Sequence, residues 1–155
     1  MINGSEAYLE SRIRSADPIE LIAILYEYAI LSVREARASL AKKDIAERSR
    51  KISKAVAIIG ELDSSLNHSA GGQIATNLAR LYQYIRERLT AANIKKEDAP
   101  LAEVESLLNT LAEAWHSVKY QGVLPDFAME ADNPRFSAAL MQEAEHSHDS
   151  HSWMA

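Results

Sequence analysis

The residues in this sequence best suited to chemistry are a glutamate and a histidine three positions apart. The pair occurs twice, as Glu113 with His116 and as Glu143 with His146. On a helix this spacing puts a carboxylate and an imidazole on one face, as in the di-iron sites of helical bundles, which also need inward-pointing glutamates from two facing helices. The second pair lies near the C-terminus, and Glu113 lies off the apolar stripe of its segment. A di-metal bundle enzyme is therefore only a distant alternative, and we predict no metal and no cofactor.

Other catalytic constellations are weaker still. The sequence contains no cysteine, which excludes disulfides, zinc–thiolate sites and cysteine nucleophiles. It has no glycine-rich phosphate loop and no Ser/His/Asp set in a supporting context. The histidines at 146, 148 and 151 could bind a transition metal adventitiously, but a solvated tail is the preferred interpretation. We therefore predict a protein that is not an enzyme.

A basic cluster occupies "KKDIAERSRKISK", residues 42–54. Acidic residues interrupt it at Asp44 and Glu47, and it contains no aromatic residue on which a base could stack. Acidic residues are concentrated instead after Lys119, so the rest of the chain is nearly neutral. The cluster is predicted to be a solvated helix face, and no nucleic-acid partner is expected.

Length and composition indicate a single globular domain. The chain has 155 residues, 47% of them hydrophobic and 25% charged, which is typical of a domain with one core. The first residues lack the apolar region of a signal peptide. No segment approaches the ~18 continuous apolar residues of a membrane span. We expect a cytosolic protein without membrane insertion.

The elements that must position all these side chains are helices, because their start and stop signals are visible. "DPIE" at 17–20 places Asp17 as an N-cap, a proline at the first helical position and a glutamate at the third. Asp44 begins a similar arrangement after a break at 42–43. "NHSAGG" at 67–72 is predicted to be a turn, and Asp98 in "KKEDAP" is a candidate cap for the last helix.

These signals predict four helices, at about 18–42, 45–67, 72–95 and 100–119, each with an apolar stripe. The stripes of the last three are Ile45, Ile52, Ile59 and Leu66; Ile74, Leu78, Leu81, Ile85 and Leu89; and Leu101, Val104, Leu108, Leu111, Trp115 and Val118. Their spacing and the short connections predict an all-α, antiparallel four-helix bundle, residues 18–119. An N-terminal arm or short helix, 1–17, precedes it. An acidic tail, 120–155, follows and is predicted to be largely disordered, with a short helix possible in "RFSAALMQEAEH".

The first of the four helices is more apolar than a surface helix should be. In "PIELIAILYEYAILSV", residues 18–33, the charged residues are Glu20 and Glu27 alone. One interpretation is that this helix is central and covered by the N-terminal arm. The other is that one of its sides forms a groove for an apolar helix of another chain. Periodicity does not choose between them.

A resemblance to a known family is carried mainly by "NLARLYQYIRERLTAANI", residues 77–94. The segment closely resembles the signature region of the FliS family of flagellin-specific export chaperones, N-L-x-x-L-Y-x-Y-hydrophobic-x-x-R-L-x-x-A-N. The pattern is met by Asn77, Leu78, Leu81, Tyr82, Tyr84, Ile85, Arg88, Leu89, Ala92 and Asn93. "DPIELIAILYEYAI", "KISKAVAIIGELDSSLN" and "LAEVESLLNTLAEAW" resemble the family's other helices, and Tyr8 is placed like the tyrosine of its N-terminal arm.

The resemblance implies a helical bundle that binds the disordered C-terminal region of flagellin in the cytoplasm and prevents premature polymerisation. It also implies delivery of the loaded complex to the export gate protein FlhA, and it leaves an anti-sigma regulator open as a further partner. Tentative contacts in a flagellin groove are Tyr8, Leu25, Tyr26, Ile52, Tyr82, Tyr84, Arg88 and Asn93. The main alternative is an adaptor of the same shape for another flagellar export substrate or regulator.

This sequence departs from the family pattern in three places. Tyr28 stands where the family often has glycine, so a bulky ring could narrow a groove. Asn67 stands where aspartate is common, and asparagine serves turn geometry equally well. The acidic tail is outside the recognised pattern and receives no role.

Overall fold

The computed structural model describes residues 4–121 and 125–126 and is all-α, as predicted. Five helices follow one another: α1 Gly4–Ser15, α2 Pro18–Ala41, α3 Ile45–Ser64, α4 His68–Lys95 and α5 Ala99–Gln121. The predicted short helix and disorder of the acidic tail fall on residues outside this described part. Among the described helices, none is long and apolar enough to cross a membrane.

Helices α2 to α5 form the predicted antiparallel four-helix bundle. They pack as a closed ring in which α2 contacts α3 and α5, and α4 contacts the same two helices. The antiparallel direction follows from cross-helix bonds. At one end the indole Nε1 of Trp115 donates to the carbonyl oxygen of Ile19 at 2.9 Å. At the other end Arg37 of α2 binds Asp98, the residue before α5.

Helix boundaries confirm the predicted start signals. The Asp17 carboxylate accepts from the backbone N–H of Glu20 at 2.8 Å, and Asp44 accepts from Glu47 at 3.1 Å. The break at 42–43 is a Schellman ending, in which Lys43 has a φ of 60° and the N–H of Asp44 donates to the carbonyl of Ser39 at 2.9 Å. Asp44 thus closes α2 and starts α3, which makes this connection very short.

Three predicted boundary features were wrong in detail. α3 ends at Ser64, so Leu66 lies beyond it although it is buried. The stretch 67–72 is not a free turn: Asn67 caps α4, and the break falls at Gly72, whose φ of 50° and ψ of −125° suit glycine alone. Asp98 stands at the start of α5, but its carboxylate oxygens accept from Arg37.

The core confirms most of the predicted stripes. Leu101, Val104, Leu108 and Trp115 of α5 are buried, and so are Ile52, Ile59, Ile85 and Leu89. The first stripe residue of α3 and that of α4 are exposed, because Ile45 begins its helix and Ile74 lies just after the kink. A side chain in a first turn has no preceding turn beside it, and the facing helices do not cover it there.

An ion-pair network joins α2 to α5. Arg37 binds both Asp98 and Glu105, and Arg34 binds Glu105 as well. The hydrogen bond from Arg37 lowers the pKa of Asp98. Burial would raise the pKa of Glu105, but the hydrogen bonds from Arg34 and Arg37 outweigh it and lower that pKa.

We expect this network to make folding stability fall at acidic pH. Since the folded-state pKa values of Asp98 and Glu105 lie below their unfolded values of about 4, their contribution is complete above that range. It is lost as the pH falls through the folded pKa values. Urea denaturation between neutral and acidic pH should show this decline, and Arg37→Gln should flatten it. Arg80→Gln, which removes an exposed arginine from the middle of α4, should leave it unchanged. An unchanged pH dependence in Arg37→Gln would contradict the assignment.

Candidate functional site

The N-terminal helix α1 covers the over-apolar helix α2. Among the α1 side chains that the structure describes, Leu9 and Ile13 are buried in the core cluster. Arg12 binds two carboxylates of α2, Glu20 at 3.0 Å and Glu27 at 2.9 Å. Tyr8 remains 63% exposed, with the guanidinium of Arg12 5.7 Å from its ring centroid. Two aliphatic side chains and one arginine thus hold α1 in place, which is a small set of contacts for a helix of this length.

Beside α1, a groove of about 320 Å³ runs between α2 and α5. Its lining is Arg12, Glu20, Ala23, Tyr26, Glu27, Ile30, Arg34, Asn109, Ala112 and His116. The apolar and aromatic members come from the inner sides of α2 and α5, while the charged members form the rim. Four of the ten lining residues are apolar or aromatic and six are polar or charged. Binding sites combine apolar surface with polar groups that fix the orientation of the ligand. Arg12 is one of the lining residues and binds Glu20 and Glu27 on the α2 side, so α1 borders the groove.

A buried pair of tyrosines lies next to the groove. The hydroxyl oxygens of Tyr26 and Tyr82 are 2.6 Å apart, which joins α2 to α4. Burial raises the pKa of both hydroxyl groups, so both stay neutral across the physiological range. A cavity of about 10 Å³ adjoins the pair, bounded among others by Ser65 and Trp115. The pair is therefore part of the core, and it joins the groove residue Tyr26 to α4.

A second polar cluster joins α3 to the end of α4. Arg48 is only 4% exposed, and its Nε donates to the side-chain oxygen of Asn93 at 3.2 Å. The Ser49 hydroxyl donates to the same oxygen at 3.1 Å. The side-chain oxygen of Asn93 thus accepts two hydrogen bonds from α3. The prediction that residues 42–54 form a solvated face was wrong for Arg48, because Asn93, 45 positions along the sequence, offers it a part-buried acceptor.

A third cluster lies on the α4–α5 side. Tyr84 donates to Glu103, and Arg88 binds the other oxygen of that carboxylate at 3.4 Å. The hydrogen bond to Glu103 is the main cause that raises the pKa of Tyr84. Within the described part, the Nε of Arg88 is buried and has no hydrogen-bond partner. Tyr84 is well exposed, so this cluster presents an aromatic ring beside an arginine at the surface.

The eight tentative contact residues do not form one surface. Tyr26 meets Tyr82 in the core, Tyr84 meets Arg88 through Glu103, and Asn93 meets Arg48. Leu25 and Ile52 are core residues. Tyr8 and Tyr84 are exposed and Arg88 and Asn93 are partly exposed, whereas a partner would reach the other four, which are buried, only after a displacement.

The sequence did not single out the charged rim of the groove. Arg12 and its carboxylate partners look like ordinary surface charges in the sequence, since the pairing depends on how α1 folds back over α2. His116 lines the groove, whereas Glu113 is exposed outside it. The described residues contain no group of three metal-type ligands, and the second Glu–His pair lies outside them.

Comparison with known proteins adds sequence similarity to this geometry. The family of the flagellar protein FliS matches residues 1–122. The flagellar secretion chaperone FliS of Salmonella typhimurium is 38% identical over 121 residues, covering 75% of this chain and 90% of that protein. FliSB of Pseudomonas aeruginosa is 33% identical over 112 residues, covering 72% and 89%. FliS of Bacillus subtilis is 31% identical over 113 residues, covering 73% and 84%.

Proposed function

Because the chain belongs to the FliS family of flagellar secretion chaperones, which are not enzymes, we propose that it binds the C-terminal region of flagellin. In this proposal the complex forms in the cytoplasm, prevents premature polymerisation and delivers flagellin to the export gate protein FlhA. An anti-sigma regulator remains a further proposed partner. In this proposal residues 18–119 act as the receptor and residues 1–17 as a movable arm, with the acidic tail 120–155 set apart from both.

The observation that carries the proposal is the small number of contacts that hold α1 beside the groove. An amphipathic segment of a client that folds on binding needs a rigid apolar receptor. The α2–α5 groove has Tyr26 and Ala112 in its lining and is bordered by Arg12 of α1. A client helix that displaces α1 would gain this surface, and the cost is low because α1 buries only Leu9 and Ile13 among its described side chains.

Tyr8, Tyr84 and Arg88 stay proposed client contacts because they offer surface in the unbound protein. Leu25, Ile52, Tyr82 and Asn93 act in this proposal by holding the helices of the bundle together, unless binding separates those helices. Tyr28 is half-buried on the side of α2 that carries Glu27. Its ring, in the place where the family often has glycine, lies near Arg12 and Tyr8 and adds to the contact between α2 and α1 in this proposal.

The test replaces each of two alanines on α5 with arginine. Ala112 lines the groove, whereas Ala114, two positions later, is exposed outside it. Ala112→Arg should raise the dissociation constant for the flagellin C-terminal segment at least about tenfold, or about 1.4 kcal/mol. Ala114→Arg should not change it. Calorimetric titration gives the constant, and circular dichroism confirms that both variants keep their helicity.

The outcomes distinguish an error in the proposed binding site from an error in the proposed client. Saturable binding with a strongly negative heat-capacity change and a gain of helicity would support coupled folding in an apolar groove. Equal affinity of the two arginine variants would place the client elsewhere on the bundle. No binding by the well-folded parent protein would reject flagellin as the client and favour the adaptor alternative.

A further inference from the structure

One end of the bundle combines exposed aliphatic side chains with lysines. We call it the basic end and define it by Lys42, Lys43, Ile45, Ile94, Lys95 and Lys96. Ile45 is 55% exposed and Ile94 is 74% exposed. They belong to the same end because Ile45 lies one turn before Arg48, which is hydrogen-bonded to Asn93, the neighbour of Ile94.

The lysines of the basic end outnumber the carboxylates around them. Within residues 4–121, none of its four lysines forms an ion pair. The nearby Asp98 is bound by Arg37, and the carboxylate of Asp44 caps α3, so Glu97 is the remaining neighbouring carboxylate against four lysines. An acidic ligand would therefore meet unpaired cations beside apolar surface.

Two of these lysines occupy backbone positions that favour glycine. Lys43 has a φ of 60° after α2, and Lys96 has a φ of 59° after α4. A side chain in this left-handed conformation costs roughly 1–2 kcal/mol. Cations do stabilise helix C-termini, but Lys42 and Lys95, one residue earlier, already supply that charge. Lysine stands at both strained positions, so both add positive charge to the basic end beyond what the helix C-termini need.

We propose that the basic end binds the acidic segment 130–149 of the same chain. The segment carries Glu130, Asp132, Glu143, Glu145 and Asp149 against a single basic residue, Arg135. It also carries Phe136, Leu140 and Met141, which match the exposed isoleucines in chemistry. Carboxylates pair with the lysines, and the apolar side chains cover Ile45 and Ile94.

The chain is long enough for this contact. α5 starts at the basic end and finishes at Gln121, at the other end, after 23 residues. At a rise of 1.5 Å per residue it is about 34 Å long. The 15 residues from Gln121 to Phe136 span at most about 50 Å when extended, so segment 130–149 can return to the basic end. The tether also keeps the segment at a high effective concentration, at which weak charge pairs suffice.

Paramagnetic relaxation enhancement in the full chain tests the proposal. The absence of cysteine lets Ser137→Cys carry a single nitroxide label. We expect the backbone amide signals of residues 42–45 and 94–96 to lose most of their intensity, and those near Gly72, at the opposite end, to keep theirs. The loss should disappear at about 1 M salt, where the Debye length is roughly 3 Å.

A matched pair of variants separates binding from unfolding. Lys43→Gly with Lys96→Gly removes two charges and relieves the backbone at both positions, so it should abolish the signal loss without lowering stability. Arg80→Gln removes a positive charge from the middle of α4 and should preserve the loss. Undiminished amide signals at the basic end of the labelled protein would overturn the proposal. So would an equal loss in ¹⁵N protein that carries no nitroxide, mixed with nitroxide-labelled protein, because that loss would assign the contact to a second copy.

Discussion

Leu25→Ala is expected to lower the free energy of unfolding by about 2–5 kcal/mol, the range for truncating a fully buried leucine. Leu25 is 1% exposed in the middle of α2, the helix that contacts both α3 and α5. The cavity left behind would lie where these helices meet and could collapse little. Urea denaturation followed by circular dichroism measures the loss.

Leu31→Ala is the matched control, because Leu31 lies on the same helix and is 44% exposed. It should change the unfolding free energy by only about 0.5 kcal/mol. The comparison also decides how a binding defect is understood. If Leu25→Ala weakened client binding while stability stayed unchanged, Leu25 would be a contact residue after all and its core assignment would be wrong.

Asn93→Ala is expected to destabilise the protein by about 1.5–3 kcal/mol, the range for hydrogen bonds to charged groups. The substitution removes the oxygen that accepts from Arg48 and from Ser49. A buried guanidinium would then keep only the long bond from its Nη2 to the backbone carbonyl of residue 93, at 3.4 Å. Few single changes outside the aliphatic core should have a larger effect.

A double-mutant cycle isolates this effect. Arg48→Met keeps an unbranched apolar stem in the core and removes the charge, so Asn93→Ala should cost much less in that background. Asn77→Ala, at an exposed position of the same helix, should have little effect on stability. Equal costs of Asn93→Ala with and without Arg48 would show that the two residues are not coupled.

The sequence predicts the bundle well because helix signals are local. Asp17 and Asp44 cap their helices as expected, since a cap depends on the next three residues alone. The stripe of α5 is buried because a three–four spacing fixes one face of a helix. The predicted burial of Ile45 was wrong, because periodicity identifies the apolar face of a helix but not where a neighbouring helix stops covering that face.

The candidate site is harder to predict because its parts meet through distant pairs. The hydroxyls of Tyr26 and Tyr82 are 56 positions apart, and no local pattern marks them as partners. Arg48 looks like one more surface charge until Asn93 is placed beside it. The charged rim of the groove forms because α1 folds back along α2 after a connection of two residues, which lets Arg12 bind Glu27.

The order of the helices in the ring also has a consequence for how the chain folds. Three of the four helix interfaces join sequence neighbours, so their loops are short and close quickly. The interface of α2 with α5 is different, since Arg37 binds Asp98 across 61 positions and Trp115 binds Ile19 across 96. Closing such long loops has the highest entropic cost of the four. The transition state should therefore contain hairpins of adjacent helices, with the pairing of α2 and α5 completing the native structure last.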